Sequence, residues 1–491
     1  MTFTTTSRSV RKAVAIALVL GLSACKAADL NIANPNSATV AGATADPTAF
    51  QLLATGLLVD QRSTRAGWIN YTGILGRESY VYTPQEGRNT THFLIGIVVN
   101  GVQKLDPTGF AVAPWGGQYN VLRDLFNFRK TVAAATLTPA QKSAALGFAQ
   151  TLEAMMLFEI EQGHDSLGAV VEIREDASSL APFVSRDSLF KYILNTYDAG
   201  ATNLAAGGAS FPFAMNTGFA GFNTPATFTK FNRAMKAKAA AHYATAGGGA
   251  TAWAASVAAL SASFMDLTAA SRATLDVGVY DTYGVAPDSP NGLTQATNTS
   301  LYGHMSFQTD VQLKADATPD NRYLAKVRTG LPSRKGPVTS DGDTSAPSTI
   351  GFSIWPTSTS TIPVIRNEEL ILLHAEAMLA TGNKTAAIAD INQVRTNSGG
   401  LPPTTLTVAS TDDAVLMGIL YEKRYSTMME GNRWVDMRRY NKLNLLPLDI
   451  PSGPNKSFVA KVGPIPQAEC LVRAKSTGDL LGPGGQNNCA P

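Results

Sequence analysis

Six carboxylates lie close together in the first half of the chain: Glu159, Glu161, Asp165, Glu172, Glu175 and Asp176. Two carboxyl groups at a set separation are enough for glycoside hydrolysis, one as acid and the other as base or nucleophile. Spacing along the chain defines no such separation, and carboxylates are equally common on solvated helix ends. The histidines His92, His164, His242, His304 and His374 are scattered, and His374 falls in an apolar helical run that suits a satisfied, buried imidazole. Asp341-Gly342-Asp343 has the start of a calcium loop without the later acidic ligands, so it reads as a turn. HExxH, P-loop, GxSxG and CxxC patterns do not occur. No catalytic residue, metal or cofactor is expected.

Aromatic side chains in loops offer binding chemistry instead. Tyr80 and Tyr82 (ESYVYTPQEG), Tyr280 and Tyr283 (VYDTYG), Tyr302 and Trp355 lie in or beside non-helical stretches. Flat rings stack on the apolar faces of sugars and other planar ligands, while nearby amides and carboxylates supply hydrogen bonds. The same rings can equally anchor loops to a core. Tyr80, Tyr82, Tyr280, Tyr283 and Trp355 are the candidate ligand contacts.

The densest run of charge and aromatics is YEKRYSTMMEGNRWVDMRRYNKL, residues 421–443. Glu430 and Arg433 are three apart, as are Arg433 and Asp436, a spacing that brings opposite charges together on one helical face. Trp434 and Met437 are expected to point inward, with Arg438 reaching back over Trp434. A nucleic-acid patch would not carry the compensating Glu422, Glu430 and Asp436. The cluster reads as structural, with Glu430, Arg433, Trp434, Asp436 and Arg438 locking the C-terminal helices together.

These residues must be held by a scaffold, and composition bounds it. The chain has 491 residues, 44% hydrophobic and 16% charged, with a formal net charge of +3. That supports a full core and excludes both global disorder and an electrostatic nucleic-acid footprint. The N-terminus, MTFTTTSRSVRKAVAIALVLGLSAC, has a basic segment, a short apolar segment and small residues before Cys25. The apolar stretch is shorter than the roughly 20 residues that span a bilayer, so residues 1–24 read as a cleaved secretory signal. Leu-Ser-Ala-Cys resembles a bacterial lipobox. Cys25 is therefore expected to be acylated, anchoring the mature chain through a tether over residues 25–45; the alternative is an ordinary signal with an incidental cysteine. Cys470 and Cys489 remain, expected as a disulfide in an oxidising compartment, or else as two free thiols.

Helical signals begin at Asp46-Pro47 and recur over residues 115–132, 139–163, 185–204, 230–246, 251–267, 366–381 and 385–397. Pairs joined by short Gly or Pro turns predict a mainly α fold, with tetratricopeptide-like helix pairs forming a right-handed scaffold, little β structure and long irregular loops. One domain is expected over residues 46–491, with loop insertions near 205–229, 277–300 and 329–363 as the working surface.

EKRYSTMMEGNRWVDMRR, together with VIRNEELILLHAEAMLATGNKTAAIADINQVRTN at 364–397 and Gly463-Pro464-Ile465-Pro466 followed by Glu469, resembles the SusD/RagB family of surface nutrient-uptake lipoproteins. The resemblance implies an outer-membrane, lipid-anchored, surface-exposed protein that captures a glycan or other oligomeric nutrient. It would deliver this ligand without catalysis to a partner, a TonB-dependent β-barrel transporter. The ending ECLVRAKSTGDLLGPGGQNNC departs from the family's Asn-Pro-rich close. Family sugar-binding aromatics sit in variable loops, so no ligand residue carries over. The alternatives are a lipid-anchored protein-interaction scaffold and a glycan-cleaving enzyme.

Overall fold

The structure is a computed structural model that describes residues 46–83, 85–112, 114–176, 178–285, 288–295 and 299–477. Cys25, the signal segment and Cys489 lie outside the described residues.

Local sequence sets the helix starts. Asp46 accepts the Thr48 amide at 2.8 Å ahead of α1 (Pro47–Ser63). Thr138 and Gln141 form a reciprocal capping box at α4 (Pro139–His164), in each case with proline in the first turn, where its missing N–H costs nothing. Between them come α2 (Arg65–Leu75) and α3 (Gly116–Ala134). Next are α5 (Arg186–Ala205), α6 (Pro225–Tyr243) and α7 (Gly249–Ser261). The C-terminal part contains α8 (Asn367–Ala380), α9 (Lys384–Asn397), α10 (Asp412–Ser426), α11 (Arg433–Arg439) and α12 (Gln467–Thr477). The helix expected over 251–267 stops at Ser261, and short turns follow it.

Each long helix packs on its sequence neighbour: α3 on α4, α4 on α5, α5 on α6, α6 on α7, α8 on α9, and α10 on both α8 and α9. Helix α7 also packs on α8 across the long excursion of residues 262–366, so the stack stays continuous. Nearest-neighbour packing of this kind is the tetratricopeptide-like mode, in which no single pair buries a core alone.

The loops are not uniformly a working surface. Residues 206–224 drive Phe211, Phe213, Phe219 and Phe222 into the main core, where Phe213 meets Phe148 edge to face at 5.0 Å. Residues 278–281 pair antiparallel with 362–366, and 327–328 with 351–352, stitching the other two insertions to the scaffold. Asp341-Gly342-Asp343 is a hairpin turn, with Thr339 opposite Gly342. Cys470 is disulfide-bonded and buried. None of the helices among the described residues is long and apolar enough to cross a membrane.

Candidate functional site

The C-terminal signature proves to be a buried frame, although its charges pair differently from the expectation. Lys423 of α10 binds Glu376 of α8 at 2.8 Å and Asp436 of α11 at 2.7 Å. Arg439 closes the set on Asp436 at 2.8 Å and also binds Glu376. Glu430 pairs with Arg366 rather than Arg433. Arg433 binds neither Glu430 nor Asp436; its Nε donates to the Gly76 carbonyl at the end of α2 at 3.1 Å. Helix-terminal carbonyls lack internal partners, so this contact is worth more to the fold than a surface pair. Burial, and then the nearby Arg424 cation, pull the Arg433 guanidinium down to about 9. Trp434 is fully buried, donates its indole N–H to the Ala460 carbonyl at 2.7 Å, and lies under Arg438 at 4.6 Å.

Helix α2, gripped in this way, presents Gly67, Asn70, Tyr71 and Ile74 on one face, the three- and four-residue spacing of a helix. That face lines an open cleft of about 420 Å³. Trp68 and Tyr71 stack in its floor at 6.5 Å, and Tyr71 meets Phe93 edge-on at 5.7 Å. Trp434 supports Tyr71 from behind, also edge-on at 5.7 Å. Phe110, 43% exposed, stands at the rim, and the buried Trp115 also lines the cleft.

The polar groups of the cleft are neutral. Asn70, Asn89 and Gln118 line it beside Ser63 and Thr64. Gln118 donates to Glu159 at 3.0 Å, which directs its amide. The Asn70 Oδ1 is buried without a hydrogen-bond partner, a cost that a donor from a ligand would remove. No carboxylate, histidine, lysine or arginine is among the described residues of the lining. The exposed Phe110 ring, backed by buried aromatics and flanked by amides and hydroxyls, can stack on a polyhydroxylated ring, but the lining supplies no acid–base pair.

The predicted aromatics do not form this site. Tyr80 and Tyr82 are buried, their rings stacked on each other at 4.8 Å, and Tyr82 donates to the Ala346 carbonyl at 2.5 Å. They belong to the right segment but the wrong face: side chains alternate along a strand, and Val81, between them, is the one that lines the cleft. Trp355 is buried in a separate core cluster. Tyr280 is half-buried and donates to the Asp276 carbonyl at 2.5 Å, while Tyr283 lies half-buried with Arg62 5.6 Å from its ring centroid. Tyr80, Tyr82 and Trp355 are too buried to offer an open ring face, and none of the five lines the cleft. Phe110, Phe93, Asn70 and Asn89 were not singled out from the sequence. Phe110 alone carried a signal, an aromatic in the Pro-Gly loop DPTGF.

Of the clustered carboxylates, Glu161 and Asp165 share a separate small cavity, and the rest take partners of their own. Glu159 faces Arg65 at 3.4 Å, Glu172 binds Arg174 at 3.0 Å and Glu175 binds Lys130 at 2.6 Å. His374 bonds Asp390 at 2.7 Å. No group of three or more metal-ligating side chains occurs among the described residues.

Residues 243–470, the segment that holds this frame, match the family model described as the SusD family. Over that segment the chain is similar to the SusD family. Solved structures share the fold over most of the SusD-like chain. The NanU protein of Bacteroides fragilis aligns with a TM-score of 0.60 at 16% identity, covering 90% of this chain and 97% of its own. A SusD-like protein of the same organism gives 0.62 at 14% identity, covering 89% and 96%. A SusD-like carbohydrate-binding protein, again from B. fragilis, gives 0.54 at 14% identity, covering 84% and 99%. No curated protein sequence matches the chain.

Proposed function

We propose that this SusD-like chain binds a glycan or other oligomeric nutrient in the α2 cleft and passes it, uncleaved, to a TonB-dependent outer-membrane transporter. The observation that carries the reading is the lining: aromatic faces and neutral amides, an unpartnered Asn70 Oδ1, and no carboxylate pair of the kind glycosidases require. A structural neighbour described as carbohydrate-binding supports the ligand class. Anchoring through an acylated Cys25 on the cell surface belongs to the same reading, as does closure of the C-terminal tail by Cys470 and Cys489.

Gly67 provides the test. A side chain added there meets nothing within 4 Å and would project into the cleft. Gly67→Leu is expected to keep the fold, stabilise α2 by about 0.5–1 kcal/mol, and abolish retention on immobilised glycans. Undiminished retention would remove the cleft from the reading. Shortened products from labelled polysaccharide would refute the non-catalytic role. Co-purification of a large β-barrel from solubilised outer membranes tests the partner, and release of Cys25→Ser into the soluble fraction tests the anchor.

A further inference from the structure

A second, smaller cavity of about 270 Å³ opens on another part of the molecule, where the ends of α4 and α6 meet the start of α5 and α11. Its size is just below the range of drug-sized sites, so it suits one small molecule and not an oligomer. Its wall is rich in cations. Arg186 binds Asp165 at 2.8 Å; Arg438 lies 3.8 Å from the same carboxylate and donates to the Gln162 carbonyl at 2.7 Å. Lys461, exposed at the wall, has no acidic partner among the described residues. One carboxylate, Asp165, thus answers two arginines, and Lys461 goes unanswered.

Two buried groups have partners still to find. Arg439 commits Nε and Nη2 to Asp436 and Glu376, which leaves Nη1 buried without an acceptor at the cavity wall. Glu161 is buried and unpaired among the described residues; burial, and then Asp165, push its carboxyl up to about 8, so at neutral pH it is a donor rather than a competing anion. His242 is kept neutral by burial and by Arg439, Lys238, Lys423 and Arg438 around it. Asp165 itself holds φ 48°, left-handed for a non-glycine residue, and such strain gathers at ligand clamps.

We propose that this cavity binds a small oxyanion, a phosphate or carboxylate group, with Arg439 Nη1 and Lys461 as its donors. Oxyanions accept several N–H groups at once, and charge-assisted bonds of this type are the strong ones. The site shares no lining residue with the α2 cleft.

The test is thermal unfolding of the full chain at pH 7 and constant ionic strength, titrated with inorganic phosphate, glucuronate or, as neutral control, glucose. A saturable rise in Tm with phosphate or glucuronate and none with glucose is expected; which of the two responds identifies the source of the oxyanion. Lys461→Glu, on an exposed side chain, should leave the ligand-free Tm unchanged and weaken the response about tenfold, the loss of one charge-assisted contact. Glu161→Gln should leave the affinity intact, because both groups are uncharged at that pH. A response no greater than that of added chloride, or one insensitive to Lys461→Glu, overturns the assignment.

Discussion

A methyl group placed on Gly431 would stand 2.4 Å from the Trp68 indole Nε1. Gly431 also holds φ 87°, where L side chains are strained. The signature glycine therefore does two things at once: it turns the chain between α10 and α11, and it lets the backbone reach the floor of the cleft. Gly431→Ala is expected to destabilise the fold by about 2 kcal/mol and, by displacing Trp68, to weaken glycan retention as well. Chemical denaturation alongside a binding assay measures both; intact binding at reduced stability would separate the motif from the cleft.

Phe110 lies on the other side of the ledger. The Arg88 guanidinium sits 4.4 Å from its ring centroid, and Glu86 holds Arg88 at 2.7 Å. Because the ring is exposed, Phe110→Ala should change stability by no more than about 0.5 kcal/mol. Glycan affinity should fall about tenfold through lost stacking. An affinity gel with native and variant protein distinguishes the outcomes.

Lys423 is predicted to be the costly position of the buried frame. Lys423→Met would leave Glu376 and Asp436 to share Arg439 alone, and breaking one side of a buried ion network costs about 3–5 kcal/mol. Urea unfolding should show the midpoint falling sharply. A change below about 1 kcal/mol would mean that solvent reaches the network.

Glu161 makes stability depend on pH. Its folded carboxyl keeps a proton up to about 8, whereas the unfolded group releases it near 4.5. The stability it contributes is complete below 4.5 and is lost as pH rises through about 8. Glu161→Gln should therefore match the native protein near pH 4, exceed it increasingly up to about pH 8 and level off above, with a slope of at most about 1.4 kcal/mol per pH unit. His164, lowered to about 4 by burial, acts in the opposite sense below neutrality, so the difference between variant and native isolates Glu161. A difference independent of pH would count against the raised carboxyl.

Much of the scaffold was legible because its cues are local. Asp46-Pro47 and Thr138-Pro139 start helices through their own side chains and backbones. The 421–443 stretch declared itself structural through balanced charge and helical spacing, and Arg438 does cover Trp434. What sequence alone could not settle was partnership across space. Arg433 and Glu430 are three residues apart, yet their partners are Gly76 and Arg366, more than sixty residues away in each case. Tyr80 and Tyr82 carry the ring chemistry for binding, yet Val81 meets the cleft, because the facing of a three-residue strand is set by its partner at 301–303. The sequence by itself determined helices, caps and a family resemblance; only the tertiary structure decided which aromatics keep a face to solvent and which charges are left unpaired. Exposure and ion pairing are sums over neighbours distant in the chain, and no local pattern encodes them.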